Sequence, residues 1–140
     1  MTAQRLLKFA PALISGAWLL SLGFPAFQLS NGEVWYGYQV LFIGWLGVVT
    51  LTLGWYANPF VASIVFWWPR STSQTRLSLS LLVVVLSVTT VFVDMMGGIP
   101  SDDARHPIQR FMAGYYVWQS CCIAPLVLWL WSLFRAKQLG

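Results

Sequence analysis

Tyr38–Trp68 reads YQVLFIGWLGVVTLTLGWYANPFVASIVFWW, 31 residues without a charged side chain. A stretch this long and apolar predicts helix in lipid, where each backbone N–H and C=O must find its partner within the protein. One straight helix of that length would measure about 46 Å against a hydrocarbon core of about 30 Å. Tilt alone would have to reach about 50°, outside the usual range of about 0–40°. The reading therefore places a break near Gly54-Trp55-Tyr56-Ala57-Asn58-Pro59, because proline removes a backbone donor and disfavours helix at Asn58. Tyr38–Ala57 is expected to cross alone. The rest is expected to form a short extra helix at about 60–68, at the cytoplasmic interface or packed under the bundle, with Trp67 and Trp68 at headgroup level.

Three further apolar stretches lie outward from this one, Leu6–Phe24, Leu77–Met96 and Gly114–Phe134. Each has the roughly 20-residue length that crosses a bilayer core. The expected fold is an all-α integral membrane protein of four transmembrane helices, forming one domain over residues 1–140. A membrane barrel is excluded because the runs lack strict alternation and a barrel needs at least about eight strands. Arg5 and Lys8 precede the first run, as in a signal peptide, but Gly23-Phe24-Pro25-Ala26-Phe27 makes a poor cleavage site. That run is read as a span.

Charge sets the orientation. Arg5, Lys8, Arg70, Arg76, Arg135 and Lys137 fall on one side of a four-span arrangement with no acid among them. Glu33, Asp94, Asp102 and Asp103 fall on the other, with Arg105, His106 and Arg110. By the positive-inside rule the first side is cytoplasmic, so both termini are expected there, N-in and C-in.

Composition agrees with lipid as the solvent: 58% of residues are hydrophobic and 9% charged, against roughly 25% charged in a soluble domain. Nine Trp, nine Phe and five Tyr rule out disorder. The eight basic residues are scattered, which argues against a nucleic-acid surface despite the net charge of +4. Cys121 and Cys122 are the only cysteines. Neighbours on one helix point apart, so they are read as packing thiols and not as a redox pair.

Two polar connections remain, Pro25–Gly37 and Gly97–Ala113, both read as ordered external loops. The first carries Trp35 and Tyr36, and the second carries Asp102, Asp103, Arg105 and His106. A single His beside two carboxylates is a poor metal site, so salt bridges and helix caps are the plainer reading. With one His in the chain, bis-histidine haem ligation is excluded, and no cofactor is expected.

Ser80, Ser87, Thr90 and Asp94 share one face of the third run, a polar line expected to pack inward against another helix. Asp94 is the only acid within an apolar run, yet 18 residues of helix from Arg76 place it about 27 Å away, near the outer headgroups. Gly44, Gly47 and Gly54 mark a surface where another helix comes near. Pro125, one turn after Cys121, is expected to free a carbonyl there.

Gly44-Trp45-Leu46-Gly47, then Leu53-Gly54-Trp55-Tyr56-Ala57-Asn58-Pro59, with Gly114-Tyr115-Tyr116-Val117-Trp118 opening the last run, resemble small bacterial four-helix inner-membrane proteins. Those proteins share a Trp-rich second helix ending in Ala-Asn-Pro and an aromatic start to the last helix. The resemblance implies a bacterial source and transfers no functional residue.

The expected function is non-enzymatic. The chain would bind a membrane partner, either as accessory subunit of a complex or as immunity protein against a membrane-acting toxin. Asp102, Asp103, Arg105, His106 and Trp35 are the expected partner-facing residues. The alternative is a small homo-oligomeric channel or transporter using Ser80, Ser87, Thr90 and Asp94. A third reading, an enzyme at the outer surface, would need His106 and the two Asp as catalysts.

Overall fold

The computed structural model describes residues 3–46, 53–68, 70–93, 98–101 and 104–139. Helix α1 (Ala3–Gly23) leads into strand β1 (Pro25–Leu29) and strand β2 (Val34–Tyr36). Helix α2 (Gly37–Ile43) tightens into a 3-10 turn at Gly44–Leu46, and a second 3-10 turn, Leu53–Tyr56, opens helix α3 (Ala57–Trp67). Helix α4 (Ser73–Val88) ends in a 3-10 turn, Thr89–Phe92. Strands β3 (Ile99–Ser101), β4 (Ala104–His106) and β5 (Ile108–Phe111) precede helix α5 (Ala113–Leu139).

Two helices among the described residues, Ser73–Phe92 and Ala113–Arg135, are long and apolar enough to cross a membrane. The expectation of four transmembrane helices in an all-α fold is therefore corrected, on two grounds. The apolar helices Phe9–Gly23 and Gly37–Leu46 are shorter than 18 residues, and a three-stranded antiparallel sheet, ordered β2-β1-β5, is part of the fold.

The second stretch fails as a span for a visible reason. Trp55 Nε1 donates to the Leu41 carbonyl at 2.8 Å, and Tyr56 Oη donates to the Trp45 carbonyl at 2.9 Å. Fourteen residues of straight helix would separate Leu41 from Trp55 by about 21 Å. Leu41 and Trp55 therefore do not lie on one straight helix, and the Trp55 indole lies directly against Gly44. The extra helix expected at 60–68 runs from Ala57 to Trp67. Pro59 falls in its first turn, where the missing N–H costs no intrahelical bond. It does not lie under the bundle. Ala57, Val61 and Ile64 are buried in the main core with Ile14, Val83, Cys121 and Cys122. Trp68 is buried beneath the Arg76 guanidinium, 5.1 Å from the ring centre, while Trp67 is exposed.

The helices pack α1 on α5, α5 on α4 and α4 on α3. α1 and α5 run antiparallel, since Trp18 and Trp118 meet the same Asn58 oxygen while Cys121 Sγ lies 3.7 Å from the Ile14 carbonyl. Pro125 sits inside α5 without ending it. A 3.2 Å bond from the Thr75 amide to the Thr72 hydroxyl caps α4.

The two connections expected as loops become one sheet. β1 pairs antiparallel with β2 (Phe27 opposite Trp35) and with β5 (Phe27 opposite Phe111). The β1–β2 turn is local chemistry: Gly32 takes φ +87°, and Asn31 Oδ1 accepts from the Glu33 amide at 3.0 Å. Phe27, Leu29, Trp35, Val93 and Ile108 form a second, smaller core under this cap. β3 and β4 form a separate hairpin.

Candidate functional site

Three polar contacts assemble the centre of the molecule around Asn58. Its Oδ1 accepts from Trp18 Nε1 at 2.9 Å and from Trp118 Nε1 at 2.8 Å, and its Nδ2 donates to the Trp55 carbonyl at 2.9 Å. One buried amide thereby joins α1, α3, α5 and the turn before α3. Both acceptor lone pairs of the oxygen are occupied. Asn58, expected only as a helix break, is the bonding centre of the bundle.

Directly beside it, between the sheet and the helix ends, lies an apolar cavity of about 160 Å³. Phe27 and Trp35 of the sheet, Val40 of α2, Trp55, Thr90 at the end of α4, and Tyr115 near the start of α5 contribute to its wall. Tyr115 is fixed by stacking on Phe111 of β5, with ring centres 4.1 Å apart, so the sheet holds the start of α5 in place. Gly54 is required where it is, because a Cβ there would meet the Thr90 hydroxyl.

Two wall residues carry buried polar atoms with no hydrogen-bond partner among the described residues, Trp35 Nε1 and Thr90 Oγ1. Leaving such a group unsatisfied costs about 1–3 kcal/mol. Trp35 is only 8% exposed and stacks on Phe27 with ring centres 6.0 Å apart. Its expected place on a partner-facing loop is corrected: the side chain belongs to the small core and to the cavity wall.

The other expected residues separate. Arg105 and His106 lie on β4, His106 opposite Ile99; Ile99 lines the cavity, whereas Arg105 and His106 do not. Asp94, Asp102 and Asp103 lie outside the described residues, as does Gly47. On α4, Ser80 and Ser87 are fully buried. Ser87 Oγ accepts from Gln119 Nε2 of α5 at 3.0 Å and donates to the Val84 carbonyl at 2.9 Å, whereas Ser80 Oγ has no partner. The polar line is therefore a packing seam at Ser87 and a cavity wall at Thr90. Cys121 and Cys122 are buried free thiols. Among the described residues no group of three or more His, Cys, Asp or Glu gathers as metal ligands would.

Sequence reasoning missed Trp18, Trp118 and Trp55 as members of this centre. Indoles near helix ends read as interfacial anchors, and only the fold turns three of them inward. No family model, curated protein or solved structure matches the chain.

Proposed function

We propose that this chain is a non-enzymatic binding protein of the bacterial inner membrane, presenting a rigid β-cap to a membrane partner. The observation that carries the reading is the pairing of β1 with both β2 and β5. It joins two polar connections, far apart in sequence, into one platform with its own buried core. The platform's outer residues, including Asn31, Glu33, Gln109 and Arg110, are exposed, as is Arg105 on the neighbouring β3–β4 hairpin. A preformed surface loses little conformational entropy on association, which is what specific recognition requires.

Charge supports the placement in the membrane. α4 follows Arg70 and carries Arg76 in its first turns, and α5 closes on Arg135 and Lys137. Arg135 lies 5.5 Å from the Trp131 ring centre, a basic and aromatic pairing suited to a headgroup layer. The positive-inside rule puts that end in the cytoplasm and the cap outside. Because α1 runs antiparallel to α5, the N-terminus joins the C-terminus on the cytoplasmic side. The partner is a subunit of a larger membrane complex or a membrane-acting toxin.

The test is native mass spectrometry of the protein extracted from its host in mild detergent, on the parent and on an Arg105→Glu/Arg110→Glu variant. A stoichiometric second chain that leaves the variant, with the variant's circular dichroism unchanged, is the expected result. A chain that stays bound to the variant sinks the cap as the contact surface. Release of this chain alone or as a homo-oligomer from the parent sinks the binding function.

A further inference from the structure

We propose that the basic end of the helix bundle binds the phosphate of an anionic phospholipid, with the Arg76 guanidinium as its anchor and Arg70 beside it on the α3–α4 connection. The inference rests on the membrane placement above, and three features of this end define the ligand.

The first is uncompensated charge. α1 carries Arg5 and Lys8 in its first turns, α3 ends at Trp67 shortly before Arg70, α4 has Arg76 as its fourth residue, and α5 closes on Arg135 and Lys137. Trp129 Nε1 donates to the Ser73 carbonyl and to the Ser73 hydroxyl, each at 3.0 Å, which brings the last turns of α5 against the start of α4. The acidic side chains of the chain are Glu33, Asp94, Asp102 and Asp103. Glu33 belongs to the β1–β2 turn, beyond the opposite end of α1, and the other three follow the far end of α4 in sequence. The counter-ion of the basic end therefore comes from outside the chain.

The second is the way Arg76 is held. Its guanidinium lies 5.1 Å from the ring centre of the buried Trp68, and its Nε donates to Ser71 Oγ at 3.3 Å. Ser71 Oγ donates in turn to the Trp68 carbonyl at 3.2 Å, and the amides of Arg70 and Ser71 both donate to the Trp67 carbonyl at 2.9 Å. The connection is closed by its own hydrogen bonds, and the guanidinium is fixed upon it. Of the five N–H donors of an arginine, one meets Ser71, and among the described residues the four on the terminal nitrogens have no acceptor. Such a fork matches two oxygens of one phosphate.

The third is the apolar surface at the same end. Phe66 and Trp67 of α3 and Phe134 of α5 are exposed there, and Arg135 lies over the Trp131 ring. A soluble phosphate leaves these rings in water, whereas a phospholipid brings acyl chains to the rings and a phosphate to the cations. The headgroup is one without an amine, because a choline or ethanolamine cation neutralises the phosphate from within the lipid and repels Arg70 and Arg76.

The test places the full chain in vesicles holding equal amounts of phosphatidylglycerol and phosphatidylcholine with the same acyl chains. After re-extraction in mild detergent, native mass spectrometry reads the ratio of the two lipids retained per chain. The parent is expected to favour phosphatidylglycerol about twentyfold, the product of about fivefold for each of Arg70 and Arg76. Arg76→Gln and Arg70→Gln are each expected to lower the preference about fivefold, with Arg76→Lys, which keeps the charge and loses the fork, between the parent and Arg76→Gln. The Arg70 side chain is exposed and makes no bond among the described residues, so its variant decides the matter even where Arg76→Gln loosens Trp68. Equal retention of the two lipids by the parent overturns the proposal, as does a preference that survives either glutamine change in a folded protein. Displacement of the lipid by added glycerol phosphate overturns the phospholipid as source. Flotation with the vesicles separates the two readings: a protein that fails to float defeats the membrane placement, while one that floats without lipid preference defeats only this site.

Discussion

Trp118 Nε1 on α5 lies 2.8 Å from Asn58 Oδ1 on α3, 60 residues away in sequence. The same oxygen accepts from Trp18 on α1, so this contact is the point at which three helices are held in register. Asn58→Leu keeps the volume roughly constant and orphans both indole donors. It is expected to cost about 1–3 kcal/mol, read as a lower midpoint in thermal or detergent unfolding. An unchanged midpoint would show that the bridge contributes nothing to stability. In a double-mutant cycle with Trp118→Phe, a coupling of about 0.5–3 kcal/mol is expected between the two sites.

Gly44 and Gly54 test the close contacts around Trp55 in the second apolar stretch. A Cβ at Gly44 would collide with the Trp55 indole, which is held by its bond to the Leu41 carbonyl. Gly44→Ala is expected to destabilise by about 1–3 kcal/mol. Gly54→Ala meets the Thr90 hydroxyl instead, and Thr90 Cβ lies 3.2 Å from the added carbon. Thr90→Ala should therefore recover most of the loss at Gly54 and none at Gly44. Unfolding midpoints of the four variants decide this.

Ser80 and Ser87 offer a contrast on one helix face. Ser87 bonds Gln119 across the α4–α5 seam, while the buried Ser80 hydroxyl has no partner. Ser87→Ala is expected to cost about 0.6–1.7 kcal/mol, the range for interhelical hydrogen bonds in membranes. Ser80→Ala should be neutral or stabilising, because it removes an unmet polar group. Equal losses at the two positions would contradict this assignment.

Cys121 and Cys122 are buried in the main core, Cys121 against Ile14 of α1 and Cys122 against Ser87 of α4. Maleimide labelling is expected to be negligible in the native protein and to reach two thiols per chain after denaturation. Rapid native labelling would mean that α1 separates from α5.

Hydropathy made much of the helical content legible. Ser73–Phe92 and Ala113–Arg135 lie within a few residues of the apolar runs read from the sequence, because spanning length and charge exclusion are local properties of a chain. The short helix α3 was legible but its start was not: proline is tolerated in the first turn, so α3 begins at Ala57 with Asn58 and Pro59 inside it, three residues before the expected start. A local signal for β1 and β2 was present as well. Asn31-Gly32 between PAFQL and VWY is a hairpin turn in its residue types, passed over in favour of an ordered loop.

What no local pattern supplied is the choice of partners. β5 pairs with β1 across about 80 residues, and strands of three to five residues carry too little alternation to announce it. The stretch 38–57 met every requirement of length and polarity for a span, yet the Leu41–Trp55 bond excludes one straight helix between them. Asn58 read as a break and Trp18, Trp55 and Trp118 carried no role of their own, and only their convergence makes a bonding centre with a cavity beside it. The sequence by itself determined which segments are apolar, where helices can start and which end carries positive charge, since each follows from neighbouring residues and the solvent. The tertiary structure alone decided which buried donors meet which acceptors, because that depends on distances between segments that are remote along the chain.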